Sequence, residues 1–327
     1  MSLSQDLTPI RRIGVVVGPT GVGKTEVGIE VARSIGAEIV SADSRQIYKY
    51  MDIGTAKPSV EQRRSVPHWM IDLVEPDVDY SAARYGEEAR EVIDGLLASG
   101  RRVLLVGGSG LYIQALLESF FPAPPVNHEL RSRLITQGRS LGTKALHSRL
   151  TRVDPHAAAR IHPNDLKRLV RALEVYETTG IPISKQQQGH TSRRHFSSLY
   201  IGLHREKEDL KRRIEWRVDK MIERGLVEEV QSILRMGYSK DLNSLNTLGY
   251  KEVIAHLSGE LGLKETTALI KKHTRAYAKR QLTWFKRIPD VQWVDLSETK
   301  ATPMIAATIE RFLDSPYGSQ ERLLDKK

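Results

Sequence analysis

The chain has 327 residues, of which 40 % are apolar, with 50 Lys and Arg set against 40 Asp and Glu and no cysteine. That length allows two folded units with a real core, and the missing cysteines exclude disulfides, thiolate nucleophiles and Cys-ligated zinc. The formal charge of +10 suits an anionic partner or simply a mildly basic surface. Residues 1–9 are polar and lack the apolar core of a signal peptide, and no apolar run approaches the roughly 18 residues that span a bilayer. A cytoplasmic protein with no membrane partner, acting as a monomer, is expected.

The first element in the chain is a β-branched run at 13–17, which leads directly into Gly18. A helical pattern follows at 24–34, and 38–42 reads as a second buried strand. A third strand at 103–106 ends in Gly107 and Gly108 before an apolar helix that starts near Leu111. Strands alternating with helices predict a parallel α/β sheet. The pattern breaks at Phe121, where Pro122, Pro124 and Pro125 crowd together. From 127 to 180 only helices are predicted. The clearest spans 165–179, with Leu166, Leu169, Val170, Leu173 and Tyr176 at helical spacing and Gly180 as its stop. Residues 181–195 are polar and read as a mobile loop. Strand character returns at 199–203. Two long helices follow, near 207–235 and 264–287, then a last strand at 292–296 and a frayed tail after Asp314. The predicted architecture is an α/β, P-loop-containing parallel-sheet core at 10–121 and 197–314, with a helical insertion at 122–196.

Gly18, Pro19, Thr20, Gly21, Val22, Gly23, Lys24 and Thr25 fit G-x-x-x-x-G-K-[ST] and sit between a strand and a helix. Such a loop turns backbone N–H groups inward around phosphate oxygens. Lys24 adds a point charge, Thr25 can ligate Mg²⁺, and the helix N-terminus adds its dipole. The plain alternative is a glycine-rich turn with no ligand. The loop predicts a diphosphate or triphosphate without specifying ATP. The strand at 103–106 lacks the terminal acid that holds magnesium in ordinary P-loop NTPases, and no guanine-reading motif is present. Asp43, at the end of another strand, fits service to magnesium or to a substrate.

Several further segments resemble one family, the tRNA dimethylallyltransferases. They are Ser41-Ala-Asp-Ser-Arg-Gln-Ile-Tyr48, Met51-Asp-Ile-Gly-Thr-Ala-Lys-Pro58, Pro67-His68, Ile71-Asp-Leu-Val-Glu-Pro76 and Tyr80-Ser-Ala-Ala83. Then come Val106-Gly-Gly-Ser-Gly-Leu-Tyr112, His162-Pro-Asn-Asp165 with Arg168 and Arg171, Leu248-Gly-Tyr250, and Ala278-Lys-Arg-Gln-Leu-Thr-Trp284. Together they cover roughly residues 13 to 296 in the family's order. The chain resembles the bacterial form, without the zinc finger. The resemblance implies a P-loop that holds the diphosphate of dimethylallyl diphosphate, with Mg²⁺, and a core and insertion that grip a tRNA anticodon stem-loop from two sides.

The resemblance also implies roles for particular residues. Asp43 would accept the proton of an adenine amine as general base; the alternatives are an N-cap carboxylate or a Mg²⁺ ligand. Ser109 stands where the family usually carries Thr, which keeps the hydroxyl and loses the methyl. Arg217 is expected at the diphosphate. Ser44, Arg45, Gln46, Lys167, Arg168, Arg171, Gly249, Tyr250 and Lys251 are expected, with Asp43, at the tRNA.

Two helical stripes stay open from the residues alone. Arg213, Arg217, Lys220 and Arg224 share one face, beside an acidic stripe of Glu215, Asp219 and Glu223 that would make an ion-paired surface. Lys272, Arg275, Lys279 and Lys286 lie opposite Ile270, Tyr277, Trp284 and Ile288. The apolar row is predicted to be core, and the basic row fits a solvated face and an RNA-phosphate track equally. His162 is read as a capping or loop residue rather than a metal ligand, because no second ligand stands at the right spacing.

Overall fold

In the computed structural model, β1 (Arg12–Val17) leads through the glycine-rich turn into α1 (Lys24–Ile35), and β2 (Ala37–Ala42) follows. Next come α2 (Val60–Ser65), the two-residue β3 (His68–Trp69), α3 (Ala82–Ala98), β4 (Arg102–Gly107) and α4 (Gly110–Leu117). Five helices then run in sequence: α5 (His128–Ser140), α6 (Thr143–Val153), α7 (Pro155–Arg160), α8 (Leu166–Thr179) and α9 (Ile183–Gln188). After them β5 (Ser197–His204), α10 (Lys207–Glu223), α11 (Leu226–Arg235) and α12 (Tyr250–Leu257) lead to α13 (Leu263–Phe285), β6 (Gln292–Asp295) and α14 (Ala301–Asp314). The structure describes residues 11–118, 120, 124, 126–188, 194–298 and 301–315. Pro122 and Pro125 of the proline cluster, 189–193 of the expected loop, the N-terminal 1–9 and the tail beyond 315 lie outside the described residues.

The six strands form one sheet in the order β3-β2-β4-β1-β5-β6, with every neighbouring pair parallel. Successive strand side chains point to opposite faces, so a strand with both faces covered must be apolar throughout. That is how the strands read. Ile13, Val15 and Val17 join one apolar cluster while Val16 joins another, and Val103 and Leu105 separate from Leu104 and Val106 in the same way. The first cluster is completed by Tyr85, Ala89 and Ile93 of α3, Val218 of α10 and Phe285 of α13. The second is completed by Val27, Val31 and Ile35 of α1 and Ile305 and Ile309 of α14.

The chain divides into two compact units, one of Met1–Leu117 with His195–Lys327 and one of Glu118–Arg194. Among the described residues of the second, α5 to α9 pack around Leu130, Leu134, Leu146, Leu150, Leu169 and Leu173. At its polar centre Glu174, fully buried, accepts from Arg131 at 2.7 Å, from Arg171 at 2.9 Å and from the Asn127 N–H at 2.9 Å.

Two expectations are corrected. The helix expected at 207–235 is two helices, α10 and α11, because Gly225 adopts φ 93° between them. The segment 181–195 is not all loop: α9 occupies 183–188, and Asp154 anchors it by accepting from the Ser184 hydroxyl at 2.6 Å and the Ser184 N–H at 2.9 Å. Among the described residues, no helix is long and apolar enough to cross a membrane.

Candidate active site

The turn between β1 and α1 needs backbone that L side chains rarely adopt, and it obtains it from Gly21 at φ 82° and Gly23 at φ 112°. Lys24 curls over this turn and donates to Gly18 O and Pro19 O, both at 2.9 Å. Three side chains grip the turn from outside. Arg205 Nε donates to Val22 O at 2.8 Å, Arg213 Nε donates to Gly21 O at 3.1 Å, and Gln281 Oε1 accepts from Thr20 N–H at 2.8 Å. Thr20 therefore contributes its N–H to an anchor within the protein. Arg213 departs from the reading of a merely solvated stripe.

Above the turn Lys24, Arg217 and Asp43 come near enough to feel one another's charge. Burial pushes the Lys24 ammonium down to about 8, and Arg217 pushes it the same way, while Asp43 and Glu26 oppose them. Burial also lowers the Arg217 guanidinium, against Asp43 and Glu26. Arg217 makes no hydrogen bond or ion pair among the described residues. Two buried cations close enough for one to depress the other's charge make a site that favours an added anion.

Asp43 follows β2. Its Oδ1 accepts the Arg45 N–H at 2.9 Å, which orients the carboxylate. Lys24, Thr25, Ser41, Asp43, Gln46 and His68 line a small cleft beside the turn. The Gln46 side chain is already committed: it donates to Thr55 O and Ala56 O at 3.3 Å and accepts from Ser41 Oγ at 3.1 Å. Among the described residues no group of three or more His, Asp or Glu is arranged to hold a metal. The Thr25 hydroxyl beside the loop fits Mg²⁺, which keeps several waters and takes one or two protein oxygens together with phosphate.

A larger cavity of about 410 Å³ is lined in part by Gly108, Ser109 and Gly110 of the 107–110 turn. Ser44, Arg45, Ser109, Tyr48, Tyr80, Tyr112, Asn243, Tyr277, Arg280 and Trp284 contribute to its walls. Ser109 Oγ accepts the Ser44 N–H at 2.9 Å and lies 3.2 Å from Ser44 Oγ, so it ties the loop that carries Asp43 to the end of β4. Tyr85 stacks on Tyr112 with centroids 4.3 Å apart and stiffens that wall. Burial raises the Tyr277 phenol to about 12, with Asp43 acting in the same direction. Of the row expected as core, Ile270 is buried and Trp284 and Ile288 pack against the same cluster, while Tyr277, and Trp284 on its open side, wall the cavity.

The two charged stripes are resolved by their partners. Glu215 pairs with Arg275, and Asp219 pairs with Lys271 at 2.7 Å, so α10 and α13 are stitched together. Arg275 is therefore not a free RNA contact, while Lys272, Lys279 and Lys286 are exposed. In the helical unit Lys167 and Arg168 are exposed on α8, and Arg171 is held by Glu174 and Pro124 O. Tyr250 is fully buried with its hydroxyl donating to Glu229 at 2.6 Å, beside an exposed Lys251 and a buried Gly249. His162 Nδ1 accepts the Asn164 N–H at 3.1 Å in the turn before α8, a loop role.

A family model described as IPP transferase matches residues 46–288. A tRNA dimethylallyltransferase of Thermotoga petrophila is 50 % identical over 88 % of this chain and 93 % of its own length. One of Alkaliphilus oremlandii is 44 % identical over 94 % of this chain and 99 % of its own. The chain belongs to the IPP transferase family. Among solved IPP transferase-like structures, the full-length tRNA isopentenylpyrophosphate transferase of Bacillus halodurans is 36 % identical, with TM-score 0.69, covering 93 % of this chain and 97 % of that one. A eukaryotic dimethylallyltransferase acting on tRNA is 27 % identical with TM-score 0.80, covering 95 % of this chain and 82 % of that one. The phosphate loop and Asp43 precede the span of the family model, whereas Ser109, Arg217 and the cavity walls on α13 fall within it.

Gln281, Arg280 and the tyrosines at 48, 80, 112 and 277 escape sequence reasoning as site residues. Tyr48, Tyr80, Tyr112, Arg280 and Gln281 lie in the segments that resemble the family without a role attached, and Gln281 leaves a second trace as a polar residue in the buried row Ala278, Gln281, Phe285 of α13.

Proposed function

We propose that this chain transfers the dimethylallyl group of dimethylallyl diphosphate to the exocyclic amine of the adenosine that follows the anticodon in tRNA, releasing diphosphate. The observation that carries the reading is the meeting of Lys24, Arg217 and Asp43 at a phosphate loop, with a cleft and an aromatic cavity that share the 107–110 turn in their linings.

An adenine amine is a weak nucleophile, since its lone pair is delocalised into the ring. Its attack on the allylic carbon forms an N–C bond as the C–O bond to diphosphate breaks. Lys24, Arg217 and the inward N–H groups of the loop stabilise the charge that builds on the leaving diphosphate. Mg²⁺, held by Thr25 and the diphosphate, would neutralise part of that charge. Asp43, oriented by the Arg45 N–H, takes the amine proton. The cavity walls Tyr48, Tyr112, Tyr277 and Trp284 offer flat faces for an unstacked base. Ser44, Arg45 and Ser109 supply polar contacts at its rim. In the helical unit Lys167 and Arg168 offer charge to RNA phosphates, and in the sheet unit Lys251 does so.

The test is transfer of label from dimethylallyl diphosphate to unmodified tRNA and to a minimal anticodon stem-loop. Both should be labelled without ATP, and a fully paired duplex of the same sequence should not be, because its adenine stays stacked. Absence of transfer together with ATP hydrolysis or phosphotransfer would replace this reading with a kinase or ATPase.

The Lys24 ammonium sets a pH dependence. In the free protein it titrates near 8, and a bound diphosphate raises it. Below that pH the charge is in place and the KM for the prenyl donor is flat. Above it binding must take up a proton, so KM should rise by about tenfold per pH unit until the bound-state pKa is passed. A KM that stays flat from pH 7 to 10 would sink the assignment.

A further inference from the structure

In an ordinary P-loop NTPase the strand beside the loop ends in an acid. Here β4 ends in glycine, and the space is filled from another element. A Cβ on Gly108 would lie 2.4 Å from Gln281 Nε2, and one on Gly110 would lie 2.2 Å from Trp284 Nε1. The turn is bare of side chains so that α13 can come up against it.

Gln281 uses this access on two sides. Its Oε1 accepts the Thr20 N–H of the phosphate loop at 2.8 Å, and its Nε2 donates to Gly108 O at 2.8 Å. One buried amide thus joins the loop that precedes α1 to the turn that follows β4. A core helix gains nothing from a buried amide unless both ends are satisfied, and an apolar residue of the same length would pack as well. α13 is itself braced by the Lys271–Asp219 and Arg275–Glu215 pairs, so the amide is held on a rigid element. The turn it grips carries Ser109, which in turn holds the Ser44 N–H next to Asp43.

We propose that Gln281 is a positioning residue, which fixes the spacing between the phosphate loop and the 107–110 turn and so sets the distance from the donor's allylic carbon to the acceptor amine. The inference rests on prenyl transfer at this site. A misplacement of about 1 Å can cost about 10²-fold in rate, so the effect belongs in kcat.

The test uses Gln281→Met, which keeps length and volume but loses both hydrogen bonds. The kcat for transfer should fall by about 10- to 100-fold. Both KM values should stay within about threefold and the melting temperature near that of the wild type, since both atoms of the amide are taken up by Thr20 and Gly108 and the thioether keeps the same place in the cavity wall. Diphosphate released without transfer to RNA should rise. Gly108→Ala should act alike, because its methyl displaces the amide. Combined with Gln281→Ala, which vacates that space, it should add no further loss. A folded Gln281→Met protein with wild-type kcat would overturn the proposal. So would a fall in melting temperature with kcat retained, or losses in the double variant that multiply. A wild-type protein that transfers beside an unaffected Gln281→Met sinks only this inference. A wild-type protein without transfer sinks the prenyl-transfer reading, and this inference with it.

Discussion

Asp43→Asn should lower single-turnover transfer by about 10²–10⁴-fold, the range for a lost general base. The substitution keeps the size of the side chain, and an amide oxygen can still accept the Arg45 N–H that Asp43 accepts at 2.9 Å. What it removes is the proton acceptor. Binding of tRNA, read by filter retention, should change far less than the rate. A second, smaller effect follows from the charge. Asp43 raises the Lys24 pKa, so its neutralisation should move the onset of the donor KM rise to lower pH. If tRNA binding fell in step with the rate, Asp43 would be a scaffold residue rather than the base.

The second large effect concerns stability. Glu174→Ala should destabilise the helical unit by about 3 kcal/mol, at the lower end for breaking a buried ion pair. The side chain is fully buried and serves Arg131, Arg171 and the Asn127 N–H at once. The two guanidiniums are about a third exposed, so water offsets part of their loss. Burial pushes the Glu174 carboxyl up, but the hydrogen bonds from Arg131 and Arg171 outweigh it and hold the carboxyl below the usual range. A depressed carboxylate stabilises the fold above its unfolded pKa of about 4.3 and loses that contribution as pH falls through its lower folded value. The wild-type helical unit should therefore weaken in acid, and the variant should lose the share that Glu174 supplies while keeping that of Asp154, whose carboxyl, pushed up by burial, the Ser184 and Ala157 hydrogen bonds also hold low. Hydrogen exchange of α5 and α8 amides reads both. Arg171→Ala should share part of this destabilisation. Arg168→Ala should leave exchange unchanged, while it raises the KM for tRNA and flattens the salt slope by up to about 0.7 log unit for a lost single-strand phosphate contact. Identical exchange in the two arginine variants would sink the distinction.

The sheet was legible in the sequence because its strands are covered on both faces, which leaves continuous runs such as 13–17 and 103–106. β3 has two residues and leaves no run. α3 went unread although Tyr85, Gly86, Ala89, Ile93 and Leu96 face inward at helical spacing, because Gly86 and Ala89 carry little hydrophobic signal. The break at Gly225 was hidden by charge patterns that run on through it.

Around the site, the turn at 18–25 and Asp43 stand out because each directly follows a strand and carries a recognisable residue set. Tyr277 was misread as core, and Trp284, which packs against the core, also walls the cavity. An aromatic residue at helical spacing looks the same in sequence whether protein or a cavity lies against it. Arg171 shows the converse: its resemblance to an RNA-contact segment obscured Glu174, its partner three residues on. Arg205 and Arg213 act through backbone carbonyls of a segment nearly two hundred residues away, a pairing no local pattern encodes.

The neck of the insertion has a further consequence. The chain leaves the sheet unit at Leu117 and returns at His195, and the His195 N–H donates to Leu117 O at 3.2 Å. Departure and return are thus neighbours. Loop closure grows only with the logarithm of length, at about 0.6 kcal/mol per doubling. Whatever is strung between the two residues scarcely taxes the assembly of β4, β1 and β5. The helical unit is an exchangeable cassette: it can lengthen, diverge or be replaced by a tight turn while the parallel sheet keeps its register, so the two parts of the gene are free to change at different rates.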